Sequence, residues 1–155
     1  MSSVRVDATP GTQRVTAARS PRIDNEIEID RSPDEVWALL ADLAAVTRWV
    51  PGVTSARMED MRRICTMEDG SEIHEEISGF SDEGRRYSYD QVVHPLGFAR
   101  SEGTLAVQPN GAGASRVVWN AEIEFADAAQ EAQLLDMLRQ GYAGALQRLK
   151  EVAEH

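Results

Sequence analysis

The chain has 155 residues, a formal net charge of −10 at pH 7 and a single cysteine, Cys65. That length suits one domain, which buries roughly 70% of its unfolded surface and needs no staples, and one cysteine excludes an internal disulfide and fits a reducing, cytoplasmic setting. The acidic balance disfavours nucleic acid and anionic membranes, no window approaches the roughly 18 apolar residues of a membrane span, and the start has no apolar core of a signal peptide.

Residues 1–22 hold four arginines and one aspartate, which leaves −13 for residues 23–155. They are rich in Ser, Thr, Ala and Pro, with no apolar period, and are expected to be a flexible arm ahead of a single domain over 23–155. Next comes NEIEID, Asn25–Asp30, a half-buried strand with Ile23, Ile27 and Ile29 on one face. Ser32-Pro33-Asp34-Glu35 carries an N-cap, a proline at the first helical position and a capping-box glutamate. The helix it opens has Val36, Leu39, Leu40 and Leu43 as its buried stripe and ends near Asp42–Ala44. A second short helical segment covers Ala45–Trp49, and Pro51-Gly52 stops it.

From Val53 onward the pattern is strands: Val53–Glu59, Arg62–Glu68, Glu72–Phe80, Arg86–Val93, Phe98–Gln108 and Arg116–Phe125. Asp69-Gly70 is a strong hairpin signal, and Tyr87, Tyr89, Gln91 and Val93 share one face of their strand. The chain closes on an amphipathic helix from Asp127 to about Ala153. At about 100° per residue, Leu134, Leu138, Ala145, Leu149 and Val152 form one face, widened by Leu135, Tyr142 and Leu146 on one side and Met137 on the other. Asp127 suits the N-cap and Gln130 a capping-box partner. Gly141 lies inside the apolar face, at a cost of about 1 kcal/mol against alanine. Either it admits a large side chain or it leaves a hollow for a ligand. The order strand, two helices, a meander of about six strands and a long helix indicates an α+β domain.

The run IEIDRSPDEVWALLADLAAVTRWVPGV resembles the opening of the START-like, helix-grip (SRPBCC) superfamily in its polyketide cyclase/dehydrase branch, through Ser32-Pro33, Val36-Trp37 and Trp49-Val50-Pro51. The stretches EIHEEISGFSDEGRRYSYDQV, FARSEGTLAVQP and SRVVWNAEIEF are similar to later strands of that branch, so the likeness spans Ile27 to about Lys150. The resemblance implies a seven-stranded antiparallel sheet wrapped around the C-terminal helix, with a deep cavity that in the superfamily binds lipids, steroids, hormones or aromatic polyketides.

Glu75 shares strand parity with Ile73 and Ile77, and Arg63 and Cys65 lie across the Asp69-Gly70 hairpin. Glu75 is either a general acid or base with a raised pKa or half of a structural ion pair with Arg63. Tyr87 and Tyr89 offer hydroxyls on the face the family turns to its ligand, or are core aromatics with a wet tip. Catalytic candidates are therefore Glu75, Tyr87, Tyr89 and Arg63. Family members that act as aromatases and cyclases place arginine on cavity strands, and here Arg63 and Arg100 are the substitutes available. Candidate ligand-binding residues are Trp49, Gln91, His94, Phe98, Arg100, Leu105, Trp119, Leu138, Gly141, Tyr142 and Ala145. His94, before Pro95, sits in the loop over the expected cavity mouth, and His74 is expected to face outward. The histidines lack metal spacing, so no zinc site and no cofactor are expected.

The expected function is binding of a small, mostly apolar, aromatic or polyketide-like molecule in an internal cavity, as a cyclase or dehydratase. The alternative is a non-catalytic lipid or small-molecule carrier or sensor, and a third, weaker class is an interaction protein. The partner expected is a small apolar or aromatic ligand, with no nucleic acid, met by a monomer or homodimer.

Overall fold

Strand alternation and turn chemistry lay out the computed structural model, which describes residues 21–155. In chain order it has β1 (Arg22–Ile29), α1 (Pro33–Ala41), a 3-10 segment (Leu43–Arg48), β2 (Val53–Glu59), β3 (Arg62–Met67), β4 (Glu72–Ser81), β5 (Arg86–Val93), β6 (Arg100–Pro109), β7 (Ser115–Glu124), a 3-10 turn (Ala128–Gln130) and α2 (Glu131–Glu154). The seven strands form one antiparallel sheet in the order β1-β7-β6-β5-β4-β3-β2. The helical crossover after β1 thus carries the chain from one edge to the other, and six hairpin-linked strands return. This is the α+β helix-grip arrangement. The arm expected over 1–22 lies outside the described residues except for Pro21 and Arg22. Arg22 opens β1, and the Pro21 carbonyl accepts from Ile123 N at 3.1 Å.

The Ser32 capping box forms as expected: Glu35 N donates to Ser32 Oγ and Ser32 N to Glu35 Oε1, both at 3.2 Å. Trp37 buries its ring against Phe80 and Tyr87 and donates its Nε1–H to Asp82 at 2.8 Å, which ties α1 to the β4–β5 turn. At the Asp69-Gly70 hairpin Gly70 takes φ +87°, a conformation that favours glycine. β6 and β7 alternate strictly. Ser101, Gly103, Leu105 and Val107, then Ser115, Val117, Trp119, Ala121 and Ile123, face inward and are buried. The outer face carries exposed ion pairs such as Arg22–Glu122, Arg62–Glu76 and Arg100–Glu102, each contributing little to stability in water.

The last helix departs from expectation at its start. Asp127 Oδ1 accepts from Ala129 N and caps the 3-10 turn; α2 begins at Glu131, and Gln130 makes no side-chain cap. Its two halves are held differently. In the C-terminal half Ala145, Leu146 and Leu149 are buried, and polar ties fix it to the β1 end of the sheet and to the first crossover. Lys150 Nζ donates to Glu28 O at 2.9 Å, Asp30 N to Glu154 Oε2 at 2.8 Å and Arg148 Nε to Arg48 O at 3.0 Å. In the N-terminal half no residue is fully buried, and Met137 is 49% exposed. Gly141, expected within the buried face, is exposed, because this half of the helix stands off the sheet and a Cβ there would meet nothing within 4 Å.

Gly103 is the residue whose missing side chain the packing requires. A Cβ there would sit 2.5 Å from the hydroxyl oxygen and 2.6 Å from Cζ of Tyr89, its register partner on β5. Gly103→Ala should displace the buried Tyr89 ring and cost typically 1–3 kcal/mol, as overpacked cores do; urea denaturation measures it, and an unchanged midpoint would show that the ring has room to move.

Candidate functional site

Between the open half of α2 and the inner faces of β3–β7 lies a pocket of about 410 Å³. Its walls are mostly apolar: Val46, Trp49 and Val50 from the first crossover, Leu105 and Trp119 from the sheet, and Leu138, Tyr142 and Ala145 from α2. Trp119 stands edge-on to Trp49 at 6.0 Å and lies against Tyr142 at 4.4 Å. Met137 and Gly141 line the same space and are exposed, so the pocket opens to solvent beside the N-terminal half of α2.

One corner of the pocket is polar, and strand register builds it. β3 and β4 pair with Arg63 directly opposite Glu75, and β4 and β5 with Glu75 opposite Gln91. Arg63 is 3% and Glu75 7% exposed. Arg63 Nε donates to Glu75 Oε1 at 2.8 Å, Gln91 Nε2 donates to Glu75 Oε2 at 2.8 Å, and Ser101 Oγ donates to Gln91 Oε1 at 2.7 Å. Arg63 Nη1 donates to Leu43 O at 3.1 Å and reaches the Tyr87 hydroxyl at 3.5 Å. The chain from Ser101 to Tyr87 engages both carboxylate oxygens, which is how a buried charge pair offsets its desolvation.

The titratable groups around this corner are held neutral. Burial pushes the Tyr87 and Tyr89 phenols above their ordinary range and Tyr142 up to about 12. Burial likewise raises the Cys65 thiol to about 11, so it stays protonated and is a poor nucleophile. Burial lowers His94 to about 4, outweighing the nearby charge of Glu75. Trp119 Nε1 donates to the Tyr89 hydroxyl at 2.9 Å, and Leu96 N donates to His94 Nδ1 at 3.1 Å. Among the described residues, no three His, Cys, Asp or Glu side chains stand close enough to hold a metal ion.

The four residues considered for catalysis, Arg63, Glu75, Tyr87 and Tyr89, all line this pocket, as do Trp49, Gln91, His94, Leu105, Trp119, Leu138, Gly141, Tyr142 and Ala145. Two residues expected there are elsewhere. Arg100 is five positions from the inward-facing Leu105 and so points to the outer face, where it pairs with Glu102 at 2.7 Å and Glu122 at 3.3 Å. Phe98 precedes β6 in a loop and packs edge-on to Phe125, in a second cluster with Leu135 and Leu138. Val46, Val50, Pro51, Val53, Cys65, Met67, Ile73 and Met137 line the pocket in addition to the candidates, and parity with Arg63 and Glu75 marks Cys65 and Ile73. His74 faces outward and bonds Glu72 at 2.9 Å, as expected.

The profile of the polyketide cyclase/dehydrase and lipid transport family matches residues 20–154. The chain belongs to this family. A search of curated protein sequences finds no match. Solved structures share its fold. An uncharacterized protein from Bacillus thuringiensis superposes with a TM-score of 0.77 at 23% identity, over 86% of this chain and 98% of that one. The Zhui aromatase/cyclase from Streptomyces gives 0.76 at 12% identity, over 86% and 93%. A START superfamily protein from Mycobacterium smegmatis gives 0.68 at 12%, over 84% and 98%. Among the described residues no helix is long and apolar enough to cross a membrane.

Two outcomes follow from the site. Arg63→Met strands the Glu75 charge and should cost about 3–5 kcal/mol, whereas Arg63→Met with Glu75→Leu, which removes both charges, should cost clearly less; chemical denaturation of both variants reads the difference, and equal losses would deny the pair its role. An unfolded histidine takes its proton near pH 6.5, but native His94 only near 4. Between those values the unfolded chain binds more protons, so stability falls as pH falls. His94→Leu should lose less stability than the parent from pH 6.5 to 4, as thermal melts across that window will show.

Proposed function

We propose that residues 23–155 form one ligand-binding domain that takes up a small, mostly apolar molecule, aromatic or lipid-like, and carries or senses it. The observation that carries this reading is the pocket of about 410 Å³, apolar on most sides, with one polar corner already satisfied by its own hydrogen bonds. A space of that size suits a small organic ligand, and family membership is in keeping with a lipid or polyketide guest. Carriage is favoured because Glu75 is bonded on both oxygens and the phenols and thiol, which keep their protons, supply neither a base nor a nucleophile. The second reading, a cyclase or dehydratase, draws on the family description and on the structural likeness to an aromatase/cyclase. On that reading Glu75 would exchange a proton with the ligand through a lone pair that Arg63 and Gln91 leave open.

Gly141 tests the reading. Gly141→Leu places a side chain in the open space beside α2 and recovers about 1 kcal/mol of helix propensity, so the melting temperature should hold or rise. Binding should weaken, seen as loss of a co-purified small molecule in native mass spectrometry and of anthracene uptake. A parent protein that neither carries an apolar molecule nor takes up anthracene overturns the proposal.

A further inference from the structure

The polar corner bonds within itself, and the pocket wall beside it keeps hydrogen-bonding capacity to spare. Glu75 Oε1 accepts from Arg63, Glu75 Oε2 from Gln91, and Gln91 Oε1 from Ser101, so each of these oxygens already receives one hydrogen bond. The amide orientation of Gln91 is forced, since a flipped side chain would set its oxygen against the carboxylate. Among the polar residues that line the pocket, Arg63, Tyr87, Tyr89, Tyr142 and His94 carry hydrogens that can be donated. Arg63 is 3% exposed and already engaged with Glu75, Leu43 and Tyr87. His94 is only half-buried and stands on the β5–β6 loop at the pocket wall.

The loop fixes the His94 ring. Gly97 N donates to His94 O at 3.1 Å and closes a tight turn, in which Gly97 takes φ +66°. Leu96 N donates to His94 Nδ1 at 3.1 Å. A nitrogen that accepts a hydrogen bond cannot carry the proton, so in the neutral ring the hydrogen is on Nε2. Phe98 packs against the imidazole at 4.5 Å and is itself set edge-on to Phe125 at 5.6 Å. Nε2 has no partner among the described residues.

We infer that His94, fixed as its Nε2–H tautomer, is the specificity-determining donor of this pocket, and that it selects a ligand whose polar end is a neutral carbonyl oxygen, as in a ketone, ester or lactone. The inference rests on the pocket-binding reading above. A hydroxyl or amine brings a hydrogen that would have to share an oxygen already bonded to Arg63, Gln91 or Ser101. A carboxylate brings a charge to a corner in which Arg63 and Glu75 already cancel. A carbonyl brings an acceptor alone, which is what an idle N–H lacks.

A probe pair tests this: 2-acetylnaphthalene and its hydrocarbon isostere 2-isopropenylnaphthalene, with binding followed by quenching of Trp49 and Trp119, both in the pocket wall. The parent should prefer the ketone by about tenfold, the worth of one hydrogen bond. His94→Leu should lose the preference, read as the ratio of the two affinities within that variant, and His94→Gln, which restores an N–H near the Nε2 position, should regain it. The infrared carbonyl band of bound 2-acetylnaphthalene should lie lower in the parent than in His94→Leu, a change that a merely structural role would not produce. Nitrogen-15 spectra of the parent alone should show the Nε2–H tautomer. A ketone preference that survives in His94→Leu, or an Nδ1–H tautomer in the parent, overturns the inference while leaving the binding pocket intact. Failure of the parent to bind either probe removes the pocket reading and the inference with it.

Discussion

The structure follows from a mismatch of widths. Seven antiparallel strands at about 4.8 Å spacing make a sheet about 30 Å across, and a single helix with its side chains covers about 10–12 Å. α2 lies closest to β1, where Ala145, Leu146 and Leu149 press into the core and Lys150 reaches the Glu28 carbonyl. The middle of the sheet must be covered by something else. α1 and the 3-10 segment after it close part of the gap with Val36, Leu40, Val46 and Trp49. The remainder, between β3–β7 and the upper half of α2, is the pocket. It is an unfilled part of the core, and its walls are made of the residue types that fill the rest.

Within that space a single charge pair joins most of the sheet. Arg63 on β3, Glu75 on β4, Gln91 on β5 and Ser101 on β6 are linked in one hydrogen-bonded row, and the Leu43 carbonyl brings in the first crossover. Apolar residues of similar volume in place of such a pair are often neutral or stabilising, so stability alone does not account for it. What the row does is fix register across four strands. A one-residue slip would turn Arg63 and Glu75 to the outer face and carry Ile64 and His74 inward. The exposed ion pairs on the outer face have no comparable leverage.

The sequence made much of this legible because each signal was local. Ser32-Pro33-Asp34-Glu35 forms its capping box, Asp69-Gly70 makes its turn, and the parity that joined Glu75 to Ile73 and Ile77 also set Arg63 opposite it. Two candidate residues lie outside this pocket for reasons equally physical. Arg100 and Leu105 share one strand, but their odd separation puts them on opposite faces. The sequence pattern predicts strand from Phe98, but this residue lies in the loop of Pro95 and Gly97, where its neighbours are Phe125 and His94. Gly141 shows a different limit. Helical periodicity places it correctly among the apolar residues, but periodicity says nothing about how far a helix stands from what it faces. That distance is set at the other end of α2, by contacts some ten residues away in sequence.

The two ends of α2 therefore divide the work of the fold. The C-terminal half is fixed by buried leucines and by polar ties to Glu28, Asp30 and Arg48, and it closes the core. The N-terminal half has an apolar face and little to bury it against. Met137 is exposed, Leu134, Leu135 and Leu138 are half-buried, and Gly141 and Gly144 face open space between the halves. Apolar surface left in water is unfavourable by about 25 cal/mol per Å². A guest that filled the pocket would cover part of Met137, Leu138 and Tyr142 along with itself. The same standing-off that leaves the helix incompletely buried is thus a source of binding free energy, and it is present before any ligand arrives.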